Sequence, residues 1–286
     1  MDQRVIDLYD EYTHAPLDRR EFVTRLAQLV GGMTAAMAIL PILEPSRAQA
    51  AVVAADDARI ESNRTTYKGS SGEVKAYASQ AKGGKKLPAV IVIHENRGLN
   101  AHIEDVARRL GVAGFLALAP DLLSGLGGTP VDEDKAREMI GQLDPQAVLG
   151  DLTAAVAMLE GHALGNGKVG AVGFCWGGGM VGQLAVASPA LDAGVVYYGR
   201  TPAPEDVAKI AAPLLLHYAA LDERINQGVP VFEEALKKNK KNYTLHMYEG
   251  VNHAFHNDTS EARYDKAAAE LSWSRTTEFL KKQLQS

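Results

Sequence analysis

Cysteine, excess basic charge and long apolar runs are all scarce in this chain, and each scarcity removes a class of protein. Cys175 is the one cysteine in 286 residues, so no intrachain disulfide and no cysteine-built structural zinc site can form. Lysine and arginine number 30 against 35 acidic residues, a formal net charge of −5 that offers no footprint for nucleic acid. No uninterrupted apolar run reaches the length of a membrane span, so stable membrane insertion is not expected. Nucleotide signatures are missing too. No GxGxxG signature opens a nucleotide site, and the glycine-rich Ser124-Gly125-Leu126-Gly127-Gly128 has no Gly-Lys-Ser/Thr after it, which leaves it as a flexible loop expected near a pocket. His253 and His256 do not form a helical zinc pair with a matching third ligand, so neither a metal nor a cofactor is expected.

What is present is a globular composition, 46% hydrophobic and 23% charged, with length enough for one sizeable core and a leader. Residues 1–50 read as an N-terminal extension, 51–63 as a small, polar linker and 64–286 as the catalytic domain. Within the extension, Val5, Leu8 and Tyr12 lie at helical spacing, though the purpose of such a helix is not readable. Asp18-Arg19-Arg20-Glu21-Phe22-Val23 resembles a twin-arginine pattern ahead of a moderately apolar stretch, and Ala48-Gln49-Ala50 supplies the small residues a signal peptidase accepts. The expectation is export by the twin-arginine machinery, cleavage after Ala50 and a periplasmic protein. In the competing reading, Asp18 caps an uncleaved amphipathic helix that packs on the domain or on a partner subunit, in a cytoplasmic protein.

From Arg64 onward the patterns alternate. Residues 65–67 and 73–77 read as two antiparallel strands joined by a glycine turn, and 88–93 is a continuous apolar run, as expected of a strand covered on both faces. Helical spacing follows at 103–112, 149–159, 177–187, 231–238 and 261–284, with strands at 115–119, 168–174, 193–198, 213–218 and 243–248. Such an order implies a doubly wound, mostly parallel sheet with helices on both faces.

Gly173-Phe174-Cys175-Trp176-Gly177 falls between a buried strand and a helix, the setting of a nucleophile elbow. Glycines two residues to either side remove side chains that would collide in so sharp a turn. The helix that follows points its amides and positive end at the sulfur, favouring thiolate, and the Trp176 N–H can face an oxyanion. Asp222 and His253 follow two later strands, in the order acid then histidine, so three distant residues can meet at one sheet edge. Their roles follow: Cys175 attacks an acyl carbon, His253 manages its proton and Asp222 holds the imidazole. Each residue alone has a blander reading, as a buried thiol, a turn aspartate or a polar filler histidine. Their order and strand-end placement together favour the catalytic one.

Residues 173–178, the Asp222 loop and His253-Ala254-Phe255 resemble the dienelactone hydrolase family of the α/β-hydrolase superfamily. Further matching segments are Ile93-His94-Glu95-Asn96-Arg97-Gly98, Ala119-Pro120-Asp121-Leu122 and Val196-Tyr197-Tyr198-Gly199. The resemblance, over residues 64–286, implies an α/β-hydrolase fold and a carboxylic-ester or lactone hydrolase of small molecules that works through a thioester. It further implies that Glu95 contacts the resting thiol and activates it, and that the Asn96 N–H joins that of Trp176 at the oxyanion. His94 reads as structural, and Arg97 as an anion contact or, equally, a solvated loop arginine. Two arginines that hold the carboxylate of dienelactone in that family are missing here. Glu133 and Asn257 occupy the corresponding positions, and Arg137 or Arg263 are the candidate substitutes, so a neutral ester or lactone competes with dienelactone. A thioesterase, peptidase or acyl transferase with the same triad, or a binding module with an inert thiol, are the alternatives.

Overall fold

The computed structural model describes residues 1–15, 17–44 and 51–285. Three helices come first: α1 (Gln3–His14), α2 (Arg19–Val30) and α3 (Met33–Leu43). There follow β1 (Ile60–Lys68), β2 (Glu73–Ala81), β3 (Leu87–Ile93), α4 (Ala101–Val112), β4 (Leu116–Pro120), α5 (Glu133–Ile140), α6 (Pro145–Glu160), β5 (Gly165–Phe174) and α7 (Trp176–Ala187). The chain continues through β6 (Ala193–Tyr197), β7 (Leu214–Ala219), the single turn α8 (Glu223–Asn226), α9 (Val229–Lys238), β8 (Tyr243–Tyr248) and α10 (Lys266–Leu284).

The strands form one sheet in the order β1-β2-β4-β3-β5-β6-β7-β8. β2 runs antiparallel to both β1 and β4, and every other neighbouring pair is parallel. This is the α/β-hydrolase architecture. All seven residues of β3 are buried because the sheet is covered twice. Val90 and Val92 face Ile103, Val106 and Leu110 of α4 with Leu280 and Leu284 of α10. Ala89, Ile91 and Ile93 face Leu152 and Val156 of α6 and Val181 and Leu184 of α7. Full burial of each large aliphatic side chain contributes about 1.5–3 kcal/mol, which fixes the register of this central strand.

Several boundaries differ from the sequence reading, each for a local reason. β1 starts at Ile60, and the stretch before it is pinned to α4: Asp105 accepts from the Val53 N–H at 2.8 Å and Arg108 donates to the Val53 carbonyl at 2.6 Å. Asp105 and Arg108 are both buried and need such partners. α10 begins at Lys266, where Asp265 caps it by accepting from the Ala268 N–H at 2.8 Å. The glycine-rich stretch 124–128 lies against β2, with Ser124 Oγ accepting from the Lys75 N–H at 2.9 Å, and none of its residues lines the large cavity described below.

The N-terminal helices pack as a small layer of their own around Tyr9, Tyr12, Phe22, Leu26, Leu40 and Leu43. The Tyr12 and Phe22 rings stack at 4.4 Å. Asp18 caps α2, accepting from the Glu21 N–H at 2.8 Å, and Gly31 closes it at φ 85°, a left-handed turn that suits glycine. No described helix is long and apolar enough to cross a membrane; α2 and α3 reach that length only as a pair bent by 113°. The expected cleavage motif, 48–50, lies outside the described residues. Arg19, the first of the arginine pair, is bonded to Asp134 at 3.1 Å and Glu44 at 2.7 Å.

Candidate active site

Cys175 sits between β5 and α7 at φ 55° and ψ −117°, a backbone conformation held by its surroundings rather than preferred by the residue. Its N–H donates to the Tyr197 carbonyl at 3.0 Å, and its own carbonyl accepts from the Gly179 N–H at 3.2 Å. The flanking glycines are obligatory on steric grounds. A Cβ on Gly173 would lie 2.2 Å from the Gly177 carbonyl oxygen, and one on Gly177 would lie 2.4 Å from the carbonyl oxygens of both Ile93 and His94. The thiol is thereby presented at the sheet's carboxyl edge, at the start of a helix.

Asp222 follows β7 and His253 follows β8, and both are buried. One carboxylate oxygen of Asp222 accepts from the Ile225 N–H at 3.2 Å, which caps α8, and the other lies 2.5 Å from His253 Nδ1. Burial by itself disfavours a charged His253, but the carboxylates of Asp222 and Asp10 and the sulfur of Cys175 outweigh it and push its pKa up to about 10. His253 Nε2 is buried without a hydrogen-bond partner among the described residues, and a ring nitrogen of His253 lies within 4.8 Å of the Cys175 sulfur.

The last residue of α1 also reaches the sulfur. His14 Nε2 is 3.1 Å from Cys175 Sγ, and the His14 ring meets His253 edge-on at 4.6 Å. His14 Nδ1 is held by Asp10, by its backbone carbonyl at 2.9 Å and its carboxylate at 3.1 Å, and Arg224 Nε donates to the same carboxylate at 3.2 Å. Burial disfavours a charged His14, yet the sulfur and Asp10 prevail and raise its pKa. Burial would likewise raise the pKa of the Cys175 thiol, but His14 and then His253 bring it down to about 6. Sequence reasoning missed His14. Its one trace there is its i, i+4 spacing from Asp10, which many surface helices share.

The remaining expected residues are redistributed. Glu95 is buried, but its partner is Asn257, whose amide donates to the carboxylate at 2.6 Å; His14 takes the place at the sulfur that the resemblance implied for Glu95. Asn257 is thus spent on Glu95. Arg97 is no open anion contact either: it pairs with Glu133 at 2.8 Å and donates to Tyr9 Oη at 3.1 Å. Arg263 lies 3.9 Å from Asp10 and over the Tyr9 ring, whereas Arg137, donating to the Tyr12 carbonyl, lines the large cavity. Asn96 and Trp176 flank Cys175 at the mouth of that cavity; the Asn96 side chain donates to the Thr13 carbonyl at 2.7 Å, and the Trp176 ring stacks on His94 at 5.3 Å. His94 is fully buried between that ring and the Leu122 N–H.

The cavity beside the sulfur has a volume of about 830 Å³, enough for a drug-sized molecule. His14, Met180, Tyr198 and Arg200 contribute to its wall. His256 faces away from the sulfur and stacks on Phe174 at 5.0 Å. A cysteine with two histidines is a donor set that zinc accepts, but two ligands of one tetrahedral zinc stand about 3.5 Å apart. The 3.1 Å approach of His14 to the sulfur is a hydrogen-bond distance.

Comparison with known proteins identifies the family. The model of the dienelactone hydrolase family matches residues 74–284, and a second model, described as YqhI-like, matches residues 1–31. A Saccharolobus solfataricus protein provisionally named as a carboxymethylenebutenolidase is 33% identical over 252 residues, covering 76% of this chain and 96% of its own. A Bradyrhizobium protein provisionally named as a 2-oxo-3-(5-oxofuran-2-ylidene)propanoate lactonase is 34% identical, covering 74% of this chain and 91% of its own. The crystal structure of a Klebsiella pneumoniae protein, provisionally named as a dienelactone hydrolase, superposes with a TM-score of 0.69 at 26% identity over 77% of this chain and 98% of that one.

Proposed function

The chain belongs to the dienelactone hydrolase family, and we propose that it hydrolyses a carboxylic ester or lactone through Cys175, His253 and Asp222. The observation that carries this reading is the convergence of the three at one sheet edge: a thiol on an elbow at φ 55°, a buried imidazole within reach of it, and a carboxylate 2.5 Å from the far ring nitrogen. The thiolate attacks the acyl carbon, and the carbonyl oxygen takes up charge facing the N–H groups of Asn96 and Trp176. His253 gives its proton to the leaving alcohol, then takes one from the water that opens the thioester, while Asp222 keeps the ring oriented.

A neutral acyl group fits this site better than a carboxylate. The positions at which the family supplies two arginines hold Glu133, paired with Arg97, and Asn257, bonded to Glu95. Losing two charge-assisted contacts would cost a substrate carboxylate several kcal/mol, on the order of 3. The test is hydrolysis of aryl acetates, neutral lactones, dienelactone, thioesters and peptide amides by the wild type and by Cys175→Ala. Turnover of neutral esters or lactones should fall at least about a thousandfold in the variant. Turnover that the substitution leaves unchanged removes Cys175 from the mechanism, and preference for thioesters or amides moves the protein to another reaction of the same site.

Residues 1–44 belong, in this reading, to the working enzyme. The docking of α1 at the sulfur and the family match over residues 1–31 support their retention. The twin-arginine reading is the competitor, because a mature chain starting at Ala51 has lost His14.

A further inference from the structure

We propose that His14, carried on α1, is a fourth catalytic residue: its imidazolium is the standing counter-ion of the Cys175 thiolate, so the sulfur is ionised before substrate arrives. The proposal rests on Cys175 being the nucleophile. It departs from the pattern that the family resemblance implied, in which a glutamate contacts the resting thiol and activates it. Here Glu95 is bonded to Asn257, and the sulfur's partner is a histidine from the N-terminal helix.

Four features make the ion pair the stable state. His14 Nδ1 faces two oxygens of Asp10, so it carries a proton, and any second ring proton lies on Nε2, directed at Sγ 3.1 Å away. His14 is the last residue of α1, where exposed carbonyls favour a cation, and Cys175 precedes the first turn of α7, where free amides favour an anion. The His14 and Asp10 side chains are only 10% and 17% exposed, so water screens the pair weakly. The last turns of α1 are also held from several directions: Asn96 donates to the Thr13 carbonyl, Arg137 to the Tyr12 carbonyl, Arg97 to Tyr9 Oη and Arg224 to Asp10.

The charged and titratable groups around the sulfur and the cavity it lines are Asp10 on α1, Asp18 before α2, Glu95 and Arg97 after β3, Arg137 and Glu138 on α5, Tyr198 and Arg200 after β6, Asp222 and Arg224 after β7, and His253 and Arg263 after β8. Two acid–histidine dyads, Asp10–His14 and Asp222–His253, therefore flank one cysteine, and they divide the work. As the carbon–sulfur bond forms, the carbonyl π pair moves to oxygen. Collapse expels the alkoxide, which takes the His253 proton. Water then loses a proton to His253 and attacks the thioester, and the carbon–sulfur bonding pair returns to sulfur. His14 keeps its proton throughout and meets the restored thiolate.

Because the chain has one cysteine, iodoacetamide alkylation and thiolate absorbance, the latter after subtraction of the Cys175→Ala titration that carries the ten tyrosines, both report Cys175. Both are followed across pH 4–10 on the full chain with a chelator present, in the wild type, His14→Gln and Asp10→Asn. Each alkylation rate is normalised to its own alkaline plateau, so that easier access after loss of the ring is not mistaken for a change in ionisation. The wild-type midpoint should fall near 6. His14→Gln should raise it by a unit or more, a loss of about fivefold or more in normalised rate at pH 6, with Asp10→Asn shifting it the same way by less. An unchanged midpoint in His14→Gln reduces His14 to a cover over the sulfur and overturns the proposal. If that variant does not fold, an unchanged midpoint in Asp10→Asn does the same. The titration needs no substrate, so a failed hydrolysis panel and a failed ion pair are separate results.

Discussion

At Cys175, local sequence context was enough to locate a sharp, strained turn between strand and helix. A positive φ at a non-glycine residue between glycines that tolerate no Cβ is what Gly173-Phe174-Cys175-Trp176-Gly177 encodes. Asp222 and His253 were legible for a related reason, since each stands directly after a strand and parallel strands deliver their ends to one edge. Residues whose roles depend on a partner far along the chain were not legible. Asn257 and Arg97 look like substrate contacts until Glu95 and Glu133 are seen to occupy them. One prediction belongs at this scale. In the proposed mechanism acylation needs the Cys175 thiolate together with protonated His253, so kcat/KM for a neutral ester should rise as pH passes about 6, stay level, and fall as pH passes about 10. An acid limb near the ordinary thiol pKa would show that neither histidine lowers the thiol's pKa.

Among the elements, α1 to α3 carry the largest difference between pattern and structure. Val5, Leu8 and Tyr12 gave a helix, but the face it covers is set by residues elsewhere, notably Arg97, Arg137 and Arg224. α5, a short helix over residues 133–140, was not anticipated either, and it supplies Asp134 to Tyr12 at 2.7 Å and Arg137 to the α1 carbonyl end. The N-terminal layer is small enough that one side chain matters. Leu26 is fully buried in it, and Leu26→Ala should cost that layer about 2–5 kcal/mol. Amide hydrogen exchange should then quicken across residues 3–43 while β3 and β5 keep their protection. Uniform quickening through the sheet would show instead that the layer and the catalytic domain unfold as one unit.

For the molecule as a whole, the question is whether the N-terminal layer stays. Residues 1–44 bury an apolar core, close one side of the site and bring His14 to the sulfur, all of which disappear if the chain is cut after Ala50. Intact mass of the protein purified from its native host, with cell fractionation, separates the two readings. The expected species begins at the original N-terminus; a periplasmic species beginning at Ala51 would establish the leader and exclude His14 from the mature enzyme.

Sequence alone determined a doubly wound, mostly parallel sheet, because the alternation of doubly covered apolar strands with amphipathic helices has few solutions and crossover handedness follows from chain geometry, and the family resemblance implied the α/β-hydrolase fold. It also determined the elbow, since sterics there are settled within five residues. Tertiary structure decided what surrounds the sulfur. Which carboxylate pairs with which arginine, and which histidine reaches a thiol 161 residues away, depends on how separately encoded surfaces meet, and no periodicity along the chain records that.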